Sequence, residues 1–467
     1  MTTSRRKFIG NTAKTAALAY LAPLAKAASK EAIAGVDVTG IRQQIDGFGF
    51  CEAFHEARNL QSFPDKERTL LLDLLFSPNG GMGFSILRNI VGDGATVETK
   101  DGTTASIEPA PGVWNWAGDE DQIWLMNEAK RRGCTRFLSS VWSPPAWMKT
   151  NKQTSDGGSL RPDKYQDFAE YLAAYVFEYK SRYGLDIYAI SPTNEPNYKA
   201  TWSSCMWTGE ELRNFIRKNL VPALAAKGVS PEIVIDEHAH WSDEYINAIL
   251  ADPVCNQAVH IVAAHAYAAT DQTFMPYSTR TGSFPYALKQ DKRIWQTEVS
   301  AGDKNIVTMD DGVYWAGLLH AHLTQNDVSG WLWWWGTHAG NSRSSLIALD
   351  MTTKSYTLSK RLFTLGQFSR FIRPGSHRVN AVENPVGNVR FSAYLDPLGK
   401  QLICVAINDD SKDQQFLIQF GGLPVTSCTP VRTSRTETHQ RLEKLPVTNG
   451  QVTVQAPAMS VTTFILS

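Results

Sequence analysis

Strand-like runs alternate with helix-like stretches along most of this chain, between about residues 45 and 375. The runs are rich in β-branched and aromatic residues, a composition typical of buried strands. They cover residues 46–50, 83–88, 135–141, 187–190, 232–235, 259–264, 293–295 and 330–333. Amphipathic segments lie between them, and in the clearest, residues 163–182, apolar side chains recur at three- and four-residue steps. Eight strand–helix repeats predict a (β/α)8 TIM barrel.

The character of the chain changes after residue 375. Short runs of alternating polarity are separated by Gly, Pro and Asn turns, as in an all-β sandwich. They cover residues 389–394, 402–407, 415–419, 451–454 and 461–465. Residues 33–43 have the same character, so we expect this N-terminal segment to cross over and complete the sandwich. The predicted organisation is an export signal at 1–27, N-terminal strands at 28–44, a barrel at 45–375 and a sandwich at 376–467.

The first 27 residues are predicted to be an export signal and not part of the fold. The pair Arg5-Arg6 precedes an apolar run at 15–25, and Ala25 and Ala27 form a small-x-small cleavage site. This pattern favours the twin-arginine pathway, with an ordinary secretory signal as the alternative. Either signal sends the protein to the periplasm or outside the cell. No other apolar run is long enough to span a bilayer.

The composition points to a neutral partner. Lysine plus arginine equals aspartate plus glutamate, at 46 each, so no overall field attracts nucleic acid or an anionic membrane. Six cysteines without paired spacings do not predict zinc. The acidic and histidine residues at 236–240 are interpreted as loop residues lining a polar cleft, in preference to a metal site. We therefore expect a neutral substrate, no metal or cofactor, and a monomer.

Two glutamates follow strand-like runs. Glu195 follows the fourth run, within Asn194-Glu195-Pro196, and Glu298 follows the seventh. The carboxyl ends of barrel strands are where such enzymes place their chemistry. One carboxyl group can protonate a leaving oxygen while the other attacks a sugar carbon, which is what glycoside cleavage requires. Glu195 and Glu298 are therefore the predicted catalytic pair.

Several segments together resemble glycoside hydrolase family 30, over nearly all of the mature protein. They are residues 46–50, 142–151, 194–196, 297–298, 359–362, 367–375 and 456–464. The resemblance implies a barrel with a side β-sandwich and retaining hydrolysis. It also implies an acid/base on the fourth strand and a nucleophile on the seventh, roles that fall on Glu195 and Glu298.

Further residues are predicted to serve these glutamates. Asn194 is placed to bind the sugar 2-hydroxyl, and Arg88, ending the second strand, to keep Glu298 ionised. His265 and Tyr267, after the sixth strand, are expected to orient or hydrogen-bond the carboxylates. A buried structural arginine and cavity-wall residues remain the alternatives.

Tryptophans near strand ends are candidates for stacking on sugar faces. Packing beneath loops is the alternative for each. Trp335, directly after the eighth strand, is the strongest single candidate, and Trp142 is the second that we assign to substrate binding. The full set is Trp142, Trp147, Trp202, Trp207 and Trp335.

The resemblance leaves several substrates open. Members of the family cleave glucuronoxylan and other xylans, β-1,6-galactan, β-1,6-glucan or glucosylceramide. Residues 142–151 and 359–361 favour the xylanase-like group. Glucuronoxylan-specific members carry an arginine soon after the eighth strand, whereas here the first arginine is Arg343. We therefore predict xylan, with β-1,6-galactan or β-1,6-glucan as alternatives. A non-catalytic carbohydrate-binding protein, which could lose a glutamate, is the alternative from another class.

Overall fold

A closed barrel of parallel strands forms the larger part of the protein and confirms the predicted fold class. The computed structural model describes residues 32–94, 105–268, 274–300, 307–340 and 344–467. The predicted signal at 1–27 and Arg343 lie outside these residues. The barrel strands are β2 (Gly47–Cys51), β3 (Ile86–Ile90), β4 (Arg136–Ser140), β5 (Ala189–Ser191), β6 (Glu232–His238), β7 (Val259–His265), β8 (Arg293–Glu298) and β9 (Val328–Ala339). Neighbours pair in chain order, and β9 pairs with both β8 and β2, which closes the barrel.

Helices cover the outside of the barrel because their apolar faces pack against the strands. In the longest, Phe168, Leu172 and Tyr175 are buried on one face, and the helix ends at Gly184, whose φ of +67° suits glycine. The helices are α1 (Glu56–Gln61), α2 (Asp65–Phe76), α3 (Glu120–Arg131), α4 (Tyr165–Tyr183), α5 (Gly209–Phe215), α6 (Val221–Lys227), α7 (Ile246–Leu250), α8 (Pro253–Ala258), α9 (Pro285–Lys289), α10 (Met309–Gln325) and α11 (Lys360–Ser369).

The barrel interior has an apolar middle layer, with charged groups at both ends. Apolar side chains such as Ile86, Leu138 and Trp295 fill the middle. Below them, the buried carboxylate of Asp46 accepts hydrogen bonds from Trp295 Nε1 at 2.8 Å and from Ser329 Oγ at 3.1 Å. These contacts join the start of β2 to β8 and β9. Arg136 and Arg293 also pair with Asp46 at this end, at 3.6 and 3.1 Å.

The second domain is built from strands at both ends of the chain. Its strand order is β17-β16-β20-β14-β13-β12-β1-β15-β19, with β18 on β16. β1 pairs antiparallel with β12 and parallel with β15, so the N-terminal strand lies inside this sheet. The strands are β1 (Ile33–Gln44), β12 (His377–Ala381), β13 (Val389–Leu395), β14 (Leu402–Asn408), β15 (Gln414–Phe420), β16 (Ser427–Thr433), β17 (Gln440–Arg441), β18 (Leu445–Pro446), β19 (Gln451–Ala456) and β20 (Ser460–Leu466). Two further strands, β10 (Ser345–Leu349) and β11 (Tyr356–Leu358), extend the barrel sheet at β9.

The second sheet encloses a core of its own. The ring of Phe416 on β15 meets the rings of Phe391 on β13 and Phe464 on β20, with centroids 5.8 and 6.5 Å apart. β15 and β20 are not neighbours in the sheet, so the sheet folds over on itself, as a sandwich does. α11 joins it to the barrel, since Thr463 Oγ1 donates to the Gln367 carbonyl at 2.7 Å.

Among the helices that the structure describes, none has the length and apolarity to cross a membrane.

Candidate active site

A cavity of about 870 Å³ opens at the carboxyl ends of the barrel strands. Aromatic side chains and a few polar groups share its wall, which is the usual composition of a ligand site. Its aromatic lining is Phe54, Trp142, Tyr198, Trp202, Tyr267 and Trp334. Its polar lining includes Asn194, Glu195, Asn197, His240, Glu298 and Ser300.

The two predicted catalytic glutamates face each other in this cavity. An oxygen of Glu195, a ring nitrogen of His265 and an oxygen of Glu298 all lie within 4.8 Å of one another. His265 Nδ1 is hydrogen-bonded to Glu195 Oε1 at 3.0 Å, and its Nε2 lies 3.8 Å from Glu298 Oε2. One imidazole therefore lies between the two carboxyl groups and is hydrogen-bonded to Glu195.

Arg88 holds Glu298 from within the barrel. The fully buried guanidinium donates from Nη1 to Glu298 Oε2 at 2.6 Å and from Nη2 to Asn194 Oδ1 at 2.6 Å. Its Nε donates to Ser140 Oγ at 3.1 Å. A further carboxylate, that of Glu237, lies 3.2 Å from Nη2. Although burial opposes its charge, Glu237 and Glu298 raise the pKa of Arg88, so it stays a cation.

The charges around Glu298 oppose one another. Burial raises the pKa of Glu298, His265 and Arg88 lower it, the nearby carboxylate of Glu195 raises it again, and the net direction is upward. Tyr267 donates its hydroxyl to Glu298 Oε1 at 2.8 Å. Burial and the two glutamates raise the pKa of Tyr267 well above its usual value, so the hydroxyl keeps its proton. Burial lowers the pKa of His265, but Glu298 and Glu195 outweigh it and the net direction is upward.

Backbone geometry sets the direction of Glu195. This residue has a φ of +45°, in the left-handed region that non-glycine residues rarely adopt. Its N–H donates to the Glu237 carbonyl oxygen at 2.9 Å, and Trp207 N donates to the Pro196 carbonyl at 2.9 Å. Such strained positions persist where surrounding contacts over-determine them, and they are common at functional sites.

Aromatic rings build the inner wall of the cavity. Trp142 is buried, and the Arg88 guanidinium lies over its ring at 4.5 Å. Phe54 packs edge-on against Trp142 and Trp334, with centroids 5.3 and 6.3 Å apart. Tyr198 and Trp202 form an outer pair that is 48% and 40% exposed. The cavity therefore offers flat apolar surfaces at its inner wall and at its mouth.

Trp335 is not among the residues that line the cavity, although its position directly after the eighth strand predicts a place there. Residues alternate sides along the first part of β9, so Trp331 and Trp333 face the outer helices and Leu332 faces the barrel interior. The pairing with β2 shifts register between Trp333 and Trp335, and Trp334 lines the cavity. Trp335 is 6% exposed, and its ring stacks on Trp334 at 5.0 Å and on His338 at 4.1 Å, so it lies behind Trp334. The place expected for Trp335 is therefore occupied by Trp334.

The other tryptophans divide between the two predicted alternatives, which are lining the substrate cavity and packing beneath loops. Trp142 and Trp202 line the cavity. Trp207 is buried and packs against Phe215, and Trp147 Nε1 donates to the Glu108 carbonyl at 3.0 Å. These two therefore support loops and helices and do not face the cavity.

Residues 236–238 are not loop residues, which corrects the interpretation of 236–240. β6 continues through His238, and Asp236, Glu237 and His238 are all fully buried. His238 Nδ1 pairs with Asp236 Oδ1 at 2.6 Å, and burial raises the pKa of Asp236 to about 6. His240 alone of the two histidines lines the cavity. A bulge places the charged residues 236–238 within β6. Because buried strands are usually apolar, the sequence did not predict that the strand continues through them.

Two groups of possible metal ligands occur among the described residues. One is Glu195, His265 and Glu298, and the other is His55, Asp119 and Asp121. In the first group the Arg88 cation already contacts Glu298, so a metal ion there would meet a neighbouring positive charge. The absence of a metal stays a prediction.

The chain is similar to several glycoside hydrolases. Residues 45–351 match the family model described as glycosyl hydrolase family 59. The glucuronoxylanase XynC of Bacillus subtilis is 28% identical over 74% of this chain and 77% of that protein. An endo-1,6-β-D-glucanase of Neurospora crassa is 24% identical over 72% of each. The catalytic domain of family 30 xylanase C from Talaromyces cellulolyticus superposes with a TM-score of 0.78 at 25% identity, over 93% of this chain and all of that domain.

The different positions of Trp334, in the cavity lining, and Trp335, behind it, yield a testable contrast between adjacent tryptophans. Trp334→Ala should lower kcat/KM about 10-fold, because a lost aromatic contact with substrate is worth roughly 1–2 kcal/mol. Trp335→Ala should instead lower the free energy of unfolding by about 3–5 kcal/mol, since it removes a buried ring. Kinetics and urea denaturation of both variants test this. A larger loss of kcat/KM in folded Trp335→Ala than in Trp334→Ala would contradict it.

Proposed function

Because this chain belongs to the glycosyl hydrolases, we propose that it is an exported, retaining β-glycanase that cleaves xylan. The family 59 model matches its barrel, and the chain is a member of family 30 over nearly its whole length. The observation that carries the proposal is the pair of glutamates in one cavity, with oxygens within 4.8 Å. Retaining enzymes hold their carboxyl groups about 5–5.5 Å apart, too close for an attacking water between them.

The proposed reaction is a double displacement. Glu298 attacks the anomeric carbon as the glycosidic bond breaks, and Glu195 gives its proton to the departing oxygen. Water then loses a proton to Glu195 and displaces Glu298 from the same carbon. The sugar keeps its β configuration because the carbon is inverted twice.

The neighbouring residues support these roles. Arg88 and Tyr267 hydrogen-bond the two oxygens of Glu298, which favours its ionised form. Arg88 also engages the Asn194 carbonyl oxygen, so the amide nitrogen of Asn194 is left to donate to the sugar 2-hydroxyl. His265 lies between the glutamates and orients Glu195.

Xylan is the proposed substrate because a relative named a glucuronoxylanase and a solved family 30 xylanase both match most of this chain. An endo-β-1,6-glucanase or β-1,6-galactanase is the second candidate, and the relative named an endo-1,6-β-D-glucanase supports the glucanase. The exposed rings of Tyr198 and Trp202 at the mouth suit a sugar chain that continues out of the cavity.

Activity against a panel of xylan, β-1,6-galactan and β-1,6-glucan tests the proposal. Reducing sugar should appear first and fastest from xylan. Proton NMR of the first product, recorded before mutarotation, should show the β-anomer. Initial appearance of the α-anomer from a β-linked substrate would contradict the double displacement.

Substitutions should separate the roles of the two glutamates. Glu298→Ala and Glu195→Gln should both lose at least about 1,000-fold in kcat on polysaccharide. On an aryl glycoside, whose leaving group needs little protonation, azide should restore turnover to Glu195→Ala and give a β-glycosyl azide. Exposed Glu210 supplies the control, since Glu210→Gln should behave as wild type. Absence of azide rescue would count against the assignment of Glu195.

Export is proposed to use the twin-arginine pathway. Arg5→Lys with Arg6→Lys should then leave precursor in the cytoplasm, because that signal is read as an arginine pair and not as charge alone. Immunoblots of fractionated cells measure this. Unchanged export of the double variant would favour an ordinary secretory signal.

A further inference from the structure

A third carboxylate lies beside the proposed catalytic glutamates, and the double displacement gives it no role. It belongs to Glu237, which is fully buried near the carboxyl end of β6. Its Oε1 lies 3.2 Å from Arg88 Nη2, the nitrogen that also donates to Asn194. From the residues that the structure describes, neither Glu237 oxygen receives a well-aligned hydrogen bond. The ion pair with Arg88 is thus its main stabilising contact.

A β-bulge aims Glu237 at this position. Asp236 pairs with Ala263 and His238 with Ala264, so Glu237 is an extra residue without a partner on β7. Asp236 and Glu237 have φ values of +82° and +50°, both in the left-handed region. Strain at two successive residues marks a conformation held by its surroundings. The bulge turns the Glu237 side chain towards Arg88.

The main chain of Glu237 reaches the other glutamate. Its carbonyl oxygen accepts the N–H of Glu195 at 2.9 Å. One residue therefore contacts the proposed acid/base through its backbone and, through Arg88, the proposed nucleophile. No other buried charged group that the mechanism leaves unused has both contacts among the described residues.

We propose that Glu237 is a positioning residue of this site: its carboxylate holds Arg88 and shares the arginine's positive charge with Glu298, while its carbonyl oxygen fixes Glu195. The inference rests on the proposed function. Arg88 carries one positive charge between two carboxylates at 2.6 and 3.2 Å. A nucleophile that had this cation to itself would be over-stabilised as a resting anion, and less of that stabilisation would survive in the transition state.

The direction of the expected pH effect follows because Glu237 and Glu298 share the positive charge of Arg88. Removal of the Glu237 charge leaves Arg88 to Glu298 alone, which lowers the pKa of Glu298. The other titratable groups facing Arg88 and Glu298 are Glu195, His265 and Tyr267 in the cavity and Cys51 on β2. A neutral substitution at position 237 replaces none of these four groups. The acidic limb of the pH profile of kcat/KM reports the ionisation of Glu298, so this limb should move to lower pH.

Glu237→Gln on an aryl glycoside tests the inference. The acidic limb should shift down by about 1 pH unit, since a charge within about 4–6 Å moves a pKa by about 1–3 units, and kcat should fall about 10-fold. Glu237→Asp keeps the charge one methylene group further from Arg88, so it should shift the limb in the same direction by less. Ser140→Ala removes a neutral partner of the same guanidinium and should leave the limb in place.

The outcomes separate the possibilities. If both variants at 237 are folded by circular dichroism and keep the wild-type acidic limb, the inference is overturned. It is also overturned if Ser140→Ala shifts the limb as much as Glu237→Gln. If Glu237→Gln does not fold, the shift in Glu237→Asp decides. A wild-type protein that hydrolyses no β-glycoside would instead overturn the proposed function.

Discussion

The buried guanidinium of Arg88 is the interaction on which the site depends. A cation inside a barrel is costly unless its donors are paired. Its partners come from four other segments: Ser140 on β4, Asn194 after β5, Glu237 on β6 and Glu298 on β8. These partners meet only when the strands pair in the observed register. The same contacts that satisfy the buried charge therefore bring the two proposed catalytic glutamates together.

The rest of the fold leaves the upper end of the barrel free for this charge cluster. Apolar side chains fill the middle of the barrel, and Asp46 joins the lower ends of β2, β8 and β9. Left-handed backbone occurs around the cavity at Phe54, Glu195 and Glu237, as it does at other positions of the described chain. This strain is tolerated because two extensive cores, one around the barrel and one in the second sheet, stabilise the protein.

Most of the barrel could be predicted because its strands are apolar on both faces and separated by amphipathic helices. The eight predicted runs match β2 to β9 with shifts of a few residues at their ends. Six strands were not predicted, among them β12 and β16. β12 is short and carries His377, Arg378 and Asn380, and β16 contains Pro430, which usually marks a strand's edge or end. Pairing with long neighbours, and not local sequence, makes these segments strands.

The sequence alone determined which strands end in glutamate. It also determined that Glu195, Asn194 and Arg88 lie at the same end of the barrel, because the order of strands along the chain sets their order around a parallel barrel. Only the tertiary structure decided which side chains enter the cavity. The register shift in β9 leaves Trp334 in the cavity lining with Trp335 stacked against it, and the bulge in β6 adds Glu237 to the cluster. A single-residue change of register reverses the side on which a side chain lies, and the pairing with neighbouring strands sets that register.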